Sequence, residues 1–377
     1  MTATAPVSVP GRAEPQDHAA ILDGVRAFRR RELDVFGERP EVVPTGTQLA
    51  SVSDAAYEAG LVGDEASPLW SGPDEDAVTC TLAALPILAE PQAGVAFHLH
   101  QLALAELVSG QIESTVTPGT VLAIEGGAGL ARGALVRQLA GVPFEPDDHE
   151  LLAAAYPPDA SGPVLLQAPE PTDLLLPRYT GPGTLALEHV ERPALTAVSR
   201  GPGHGLDGLT SWEIRAPRGA GRRLAEGEPA RRALQVALTA HALALLAIGL
   251  GSVTGTWARV WPYSADRVQG GRPIRSHPAV QQLLAEASST ILVLQRLLAG
   301  PPGLDEPDAL STALALRARL HPQLCSAATA LVQVLGGYGY MRDTGAERSL
   351  RDNQHLRLCA GAPSELALAL VAAEQAR

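Results

Sequence analysis

Apolar positions recur with a helical period over residues 17–112, break into short runs over 118–221, and return as long helical stretches from Glu228 onward. In the first block Asp17 can cap a helix running through Phe28 and Leu33, since a side-chain carboxylate there can accept an otherwise unpaired backbone N–H. Val52–Ala59 predicts a second helix, stopped by Gly60. A Pro-rich acidic connection over Ser67–Asp76 leads into two Ala/Leu helices, Ala77–Leu88 and Gly94–Ser109. In the middle block the runs Thr120–Ile124, Glu150–Ala155, Val164–Leu166, Leu185–Leu187 and Thr210–Ile214 stand between Gly and Pro clusters, which predicts a small antiparallel β domain. The last block predicts helices over Ala230–Gly251, Trp257–Val268, Pro278–Ala299, Asp308–Leu335 and Ser349–Cys359, with a final one from Ser364. The domain boundaries that follow are a disordered tail 1–16, a helical domain 17–117, a β domain 118–221 and a helical bundle 222–377.

The run Ala233–Gly251 is long and apolar enough to span a bilayer, but Gln235, Thr239 and His241 interrupt it. A helix apolar on every side also suits the centre of a large bundle, and a buried helix is the expectation here. Composition narrows the chemistry further. Hydrophobic residues make up 46% and aromatics 4%, so the core is built of Ala, Leu and Val. All 29 basic residues are Arg, which excludes a Schiff-base or P-loop lysine. A net charge of −12 argues against nucleic acid as a partner. Cys80, Cys325 and Cys359 are too far apart for a zinc motif or a disulfide framework, which suits a cytoplasmic protein without a structural metal. The N-terminal stretch lacks the basic and apolar regions of a signal peptide. His98 and His100 lie two apart, point to different faces of a helix and cannot share a metal.

The most specific stretch is Gln323–Gly361. An apolar helix ends on Gly336–Gly337, and Tyr338-Gly-Tyr340 and a polar turn follow, then a helix with Glu347, Arg348, Arg351 and Asp352. Paired glycines at a helix end admit positive φ or the close approach of another molecule. The order Gln333, Gly336, Gly337, Gly339, Tyr340, Glu347, Arg348, Arg351, Asp352, Gly361 closely resembles the C-terminal signature of the acyl-CoA dehydrogenase family. Tyr263-Ser-Ala-Asp-Arg267, with Gly271-Arg-Pro-Ile274 and Gln281, resembles another segment of that family, and the helical–β–helical order matches its fold. The resemblance implies an α+β, mostly α chain with an N-terminal helical domain, a small middle β domain and a C-terminal four-helix bundle.

It also implies FAD, an acyl thioester substrate and a homodimer or homotetramer, with a mixed oligomer holding an active paralogue as an alternative. Arg267, Gln333, Gly336 and Gly337 would face a neighbouring subunit's FAD, the guanidinium matching the diphosphate as a bidentate fork. Glu125, Gly127 and Gly129 in Ile124-Glu-Gly-Gly-Ala-Gly-Leu-Ala131 retain the skeleton of the family's flavin loop, while its two hydroxyl residues are Ile124 and Leu130. The ring-covering Phe is Gly270, and the Thr expected after Gly361 is Ala362. The family's proton-abstracting Glu is Ala360, and its alternative position on the first long helix of the last domain is His241. An imidazole can act as a base near neutral pH, so His241 is the candidate, beside the plainer reading of a satisfied core histidine. The expected activity is α,β-dehydrogenation by a divergent family member. The alternatives are a reduced-flavin monooxygenase, a partner subunit without its own active site, and a flavin-free enzyme.

Overall fold

The computed structural model describes residues 16–63, 67–124, 130–157, 164–181, 184–217 and 219–375. The N-terminal domain is helical. α1 (Gln16–Phe28) passes through a π-helical turn, Arg29–Leu33, into α2 (Asp34–Glu38). The side chain of Asp17 lies outside the described residues. α3 (Gly46–Glu58) starts earlier than its apolar pattern suggests, because Thr45 and Gln48 form a capping box that fixes the helix start. α4 (Glu75–Ala89) is capped by Asp74, whose carboxylate accepts the Ala77 N–H at 3.0 Å, and α5 (Ala93–Gln111) is buried along nearly its whole length.

The middle domain opens with the two-residue strand β1 (Val121–Leu122) and then departs from the expectation of strands throughout. Two short helices follow, α6 (Ala134–Ala140) and α7 (Asp148–Ala155). The run Glu150–Ala155 is therefore helical. It is rich in Ala and Leu, which favour helix, and lacks the β-branched residues that favour strands. Asp148 anchors the pair, taking Arg137 in a buried bidentate pair at 2.7 and 2.5 Å. The strands β2 (Val164–Ala168), β3 (Leu174–Gly181), β4 (Thr184–Val190), β5 (Thr196–Pro202), β6 (Thr210–Arg215) and β7 (Arg222–Glu226) come next. They form one sheet in the order β1-β3-β4-β7 and a second in the order β2-β6-β5. All pairings in these sheets are antiparallel except β1 with β3.

The C-terminal domain is built on α8 (Glu228–Asp266), one 39-residue helix where the sequence suggested two. Its glycines do not break it; they let another helix in. A Cβ on Gly251 would stand 2.4 Å from the Pro86 carbonyl oxygen of α4, and one on Gly255 would stand 2.3 Å from that of Glu90. By length and composition α8 could cross a membrane, but its most apolar window is wholly buried inside the protein. A ribbon of β8 (Val268–Gln269) and β9 (Arg272–Pro273) leads to α9 (Pro278–Leu297), α10 (Ala309–Leu335), α11 (Ala346–Leu356) and α12 (Pro363–Gln375).

Charged residues of the C-terminal signature join the three domains. Arg348, buried, donates to the carbonyls of Pro40 and Pro91 from the N-terminal domain. Arg351 grips Asp207 of the β domain through two hydrogen bonds at 2.8 and 2.9 Å, and Asp352 accepts the Leu206 N–H at 2.7 Å. The loop Gly201–Gly205 is a close backbone approach. A Cβ on Gly205 would lie 2.4 Å from the Arg351 carbonyl oxygen.

Candidate functional site

The positions implied for substrate chemistry and for a neighbour's cofactor fall in two separate places. The first is in the bundle interior. His241 projects from α8 with 1% of its surface exposed, and its Nδ1 lies 2.8 Å from Nε2 of His100 on α5. The other nitrogen of His100, Nδ1, accepts the indole N–H of Trp70 at 2.8 Å. Indole can only donate, so a neutral His100 must carry its proton on Nε2 and donate it to His241 Nδ1. His241 then carries its own proton on Nε2. Burial holds both rings neutral, lowering His100 to about 3 and His241 well below its ordinary range, with His100 and Arg317 adding to the shift. In this arrangement His241 presents a hydrogen-bond donor; it has no lone pair free to take a proton.

Ala360, where the family's carboxylate would stand, has φ +46°, a left-handed conformation unusual for alanine. Its carbonyl is tied down by Arg317 of α10, a fully buried guanidinium that also donates to the carbonyls of Leu356, Arg357, Cys359 and Gly361 at the end of α11. Carbonyls at a helix C-terminus carry partial negative charge and so offset a buried cation. Burial lowers Arg317 to about 10. Its charge reaches His241, so both family positions for a base converge on a fixed positive charge. No carboxylate among the described residues forms an ion pair with Arg317. The sequence pointed to His241 and Ala360 but not to Arg317, His100 or Trp70. The available signals were two arginines, Arg317 and Arg319, within the otherwise apolar run Leu314–Leu320 and a His at 100.

The second place lies on the surface of the C-terminal domain. Arg267 caps α8 and is exposed. One turn earlier, Tyr263 packs edge-on against Tyr338 with ring centroids 6.3 Å apart, which brings the end of α8 beside Gly336 and Gly337. Gly336 has φ +60°, and a Cβ on either glycine would meet nothing within 4 Å. Close packing does not account for the absence of a side chain there. Gly339 differs: a Cβ there would lie 2.3 Å from the Val332 carbonyl oxygen. Gln333 is exposed at the edge of an open groove of about 440 Å³ between α9, α10 and α11.

Residues 231–375 match the family described as acyl-CoA dehydrogenase, C-terminal domain. The whole described architecture superimposes on butyryl-CoA dehydrogenase from Megasphaera elsdenii with a TM-score of 0.70, covering 96% of this chain and 98% of that one at 15% identity. Residues 231–375 belong to the acyl-CoA dehydrogenase C-terminal domain family, and the chain as a whole shares the fold. Among curated relatives it is 30% identical over 121 residues to cyclohexane-1-carbonyl-CoA dehydrogenase of Geobacter metallireducens, which is 32% of either chain. The chain thus spans about a third of that relative's length. An FAD complex of PigA is a further structural neighbour, with TM-score 0.69 and 14% identity, covering 96% of this chain and 98% of that one.

Other acyl-CoA dehydrogenase-fold structures hold FAD, so its fit here can be tested against the side chains. Glu125, Gly127 and Gly129 lie outside the described residues. The residues that bracket them do not fit a flavin ring. Ile124 and Leu130 are buried and offer no hydrogen bond, and Leu130 packs onto Gly361, where a Cβ would lie 2.7 Å from the leucine Cδ1. The following turn is closed onto α12. The Arg132 N–H donates to Glu365 at 2.7 Å, and a Cβ on Gly133 would stand 2.9 Å from the Leu368 carbonyl oxygen. Arg267, Gln333, Gly336 and Gly337 would fit part of the cofactor, since an exposed guanidinium, an amide and two open glycines are suited to a diphosphate approaching from outside.

Proposed function

We propose that this chain is a subunit of a mixed acyl-CoA dehydrogenase-type assembly in the cytoplasm, and that its own centre does not dehydrogenate a substrate. It completes the FAD site of an active paralogous subunit, supplying Arg267, Gln333, Gly336 and Gly337. The observation that carries this reading is the contrast between the two places. The interior has lost its carboxylate and holds a cation with a proton-bearing imidazole, while the outer surface keeps open glycines beside an exposed guanidinium. Exposed apolar side chains extend that surface, among them Trp261, Val268, Tyr338, Tyr340 and Met341. Clustered aromatic and Arg residues are typical anchors of protein interfaces. The test is co-purification with a paralogue that retains the flavin-loop hydroxyls and the carboxylate. The mixed complex should bind FAD and oxidise acyl thioesters, and Arg267→Ala in this chain should lower its FAD content.

A second reading, α,β-dehydrogenation of an acyl thioester by this chain alone, draws on the dehydrogenase to which about a third of the chain is similar. It requires FAD in this chain's own loop and a base, for which His241 is the candidate. His241→Ala with unchanged turnover would remove that candidate. A homo-oligomer carrying stoichiometric FAD that bleaches on adding acyl-CoA would favour this reading over the first.

A further inference from the structure

The groove between α9, α10 and α11 holds two opposite charges that nothing in the protein answers. It encloses about 440 Å³ and follows one face of α10 from Pro322 to Gln333. That is three turns, or roughly 16 Å of helix. Arg357, just past the end of α11, lines one wall, and Glu286 of α9 lines the other. Among the described residues neither side chain takes part in an ion pair or a hydrogen bond, and Arg357 Nε is buried without a partner. Buried polar atoms are rarely left so, and each exception calls for a reason such as a bound molecule. The backbone of Arg357 is fixed, its N–H donating to the Asn353 carbonyl and its own carbonyl accepting from Arg317. The guanidinium is therefore anchored at its base and free at its head. It stands toward the Pro322 end of the groove, since its charge reaches both Cys325 and His321. Burial raises the Cys325 thiol to about 11 against the pull of Arg357, so that thiol stays protonated and serves as a wall of the groove, not as a nucleophile. Gln333 marks the opposite end, two turns beyond Cys325.

The charges decide the class of ligand. A plain anion would be attracted by Arg357 and repelled by Glu286, and a plain cation the reverse. A ligand that carries both charges answers both walls. Leu283, Pro322, Cys325 and Ala330 supply apolar lining between them, and Ser326 and Gln354 add hydrogen-bonding groups. An apolar lining with a few polar groups that fix orientation is the usual make-up of a small-molecule site of this size. We propose that this groove binds the zwitterion of a small apolar α-amino acid, with its carboxylate on Arg357, its ammonium on Glu286 and its side chain on the apolar lining. A guanidinium takes a carboxylate as a bidentate fork, which fixes the orientation of the ligand. The site goes beyond the partner role proposed above and does not depend on it, because it needs neither flavin nor a second chain.

The test titrates the full-length chain, without flavin or partner, with L-alanine, L-valine and L-leucine by calorimetry. The tightest binder is then compared with the two analogues that lack its ammonium or its carboxylate, which for leucine are isocaproate and isoamylamine. At least one amino acid should bind saturably, and each of its analogues should bind at least about tenfold more weakly. Glu286→Gln should weaken the amino acid and not the carboxylate analogue, whereas Arg357→Met should weaken the amino acid and not the amine analogue. The analogue titrations use the wild-type chain and so test both charges independently of either variant. Absence of saturable binding of all three amino acids to the wild-type chain would overturn the site. So would either analogue binding as tightly as its amino acid, or either variant binding the amino acid as tightly as wild type. None of these results bears on whether the chain completes a paralogue's FAD site, which is read from the FAD content of the mixed complex.

Discussion

Ala360 stands where the resemblance implies a carboxylate, and the proposed function turns on it; its backbone gives the position a structural role as well. At φ +46° an L-residue costs about 1–2 kcal/mol relative to the right-handed region. Glycine relieves that strain but loosens the unfolded chain by about 0.4–1 kcal/mol. Ala360→Gly is therefore expected to be neutral or to stabilise by up to about 1 kcal/mol in urea unfolding. A clear loss of stability would mean that the methyl group, and not the Arg317 carbonyl grip, holds this turn. The sequence singles out Ala360 only through the flanking signature. Its environment was not legible there. Arg317 lies 43 positions away, and Trp70 and His241 are joined only through His100, so no local spacing could reveal that three helices and a loop bring these groups together.

At the level of elements, periodicity located the helices well and misread what interrupts them. Gly249, Gly251 and Gly255 look like a helix stop between Ala230–Gly251 and Trp257–Val268, yet α8 runs straight through them. Glycine carries two meanings, a break or a close crossing, and only the partner helix decides between them. The close crossing makes a prediction. Gly255→Val should destabilise by about 1–3 kcal/mol through forced displacement of α4, whose Glu90 carbonyl oxygen would lie 2.3 Å from the new Cβ. Thermal unfolding would check it, and an unchanged midpoint would contradict the packing described. The middle domain was misread at Glu150–Ala155 for the opposite reason. Short apolar runs fit strand and helix alike, and here the Arg137–Asp148 pair ties two short helices together where strands were expected.

Across the whole molecule, buried neutral histidines set the response to acid. Burial lowers His98 and His355 to about 4 and His100 to about 3, while an unfolded histidine titrates near 6.5. Between those values the unfolded chain binds more protons, so stability is lost as pH falls from about 6.5 toward 4. Asp352 opposes this. Burial raises it to about 6, so the folded chain holds its proton more tightly and that one group favours the fold on acidification. Burial also raises Glu90 and Glu106 and holds His241 and His321 well below their ordinary range, so five histidines outweigh three carboxyls, and the urea midpoint should be lower at pH 5 than at pH 7.5; an equal or higher midpoint at pH 5 would contradict the buried neutral rings. The same scale carries the functional account, since the N-terminal and β domains are locked onto the C-terminal domain by Arg348, Arg351 and Asp352 while Gly336, Gly337 and Arg267 face outward. The most direct measurement is the visible spectrum and FAD-to-protein ratio of the chain purified alone and together with a paralogue that keeps its carboxylate. The account predicts a colourless chain that takes up no added FAD by itself, and a yellow mixed complex whose FAD content falls with Arg267→Ala. A chain that purifies alone with one FAD per subunit, bleached by acyl-CoA, would contradict it.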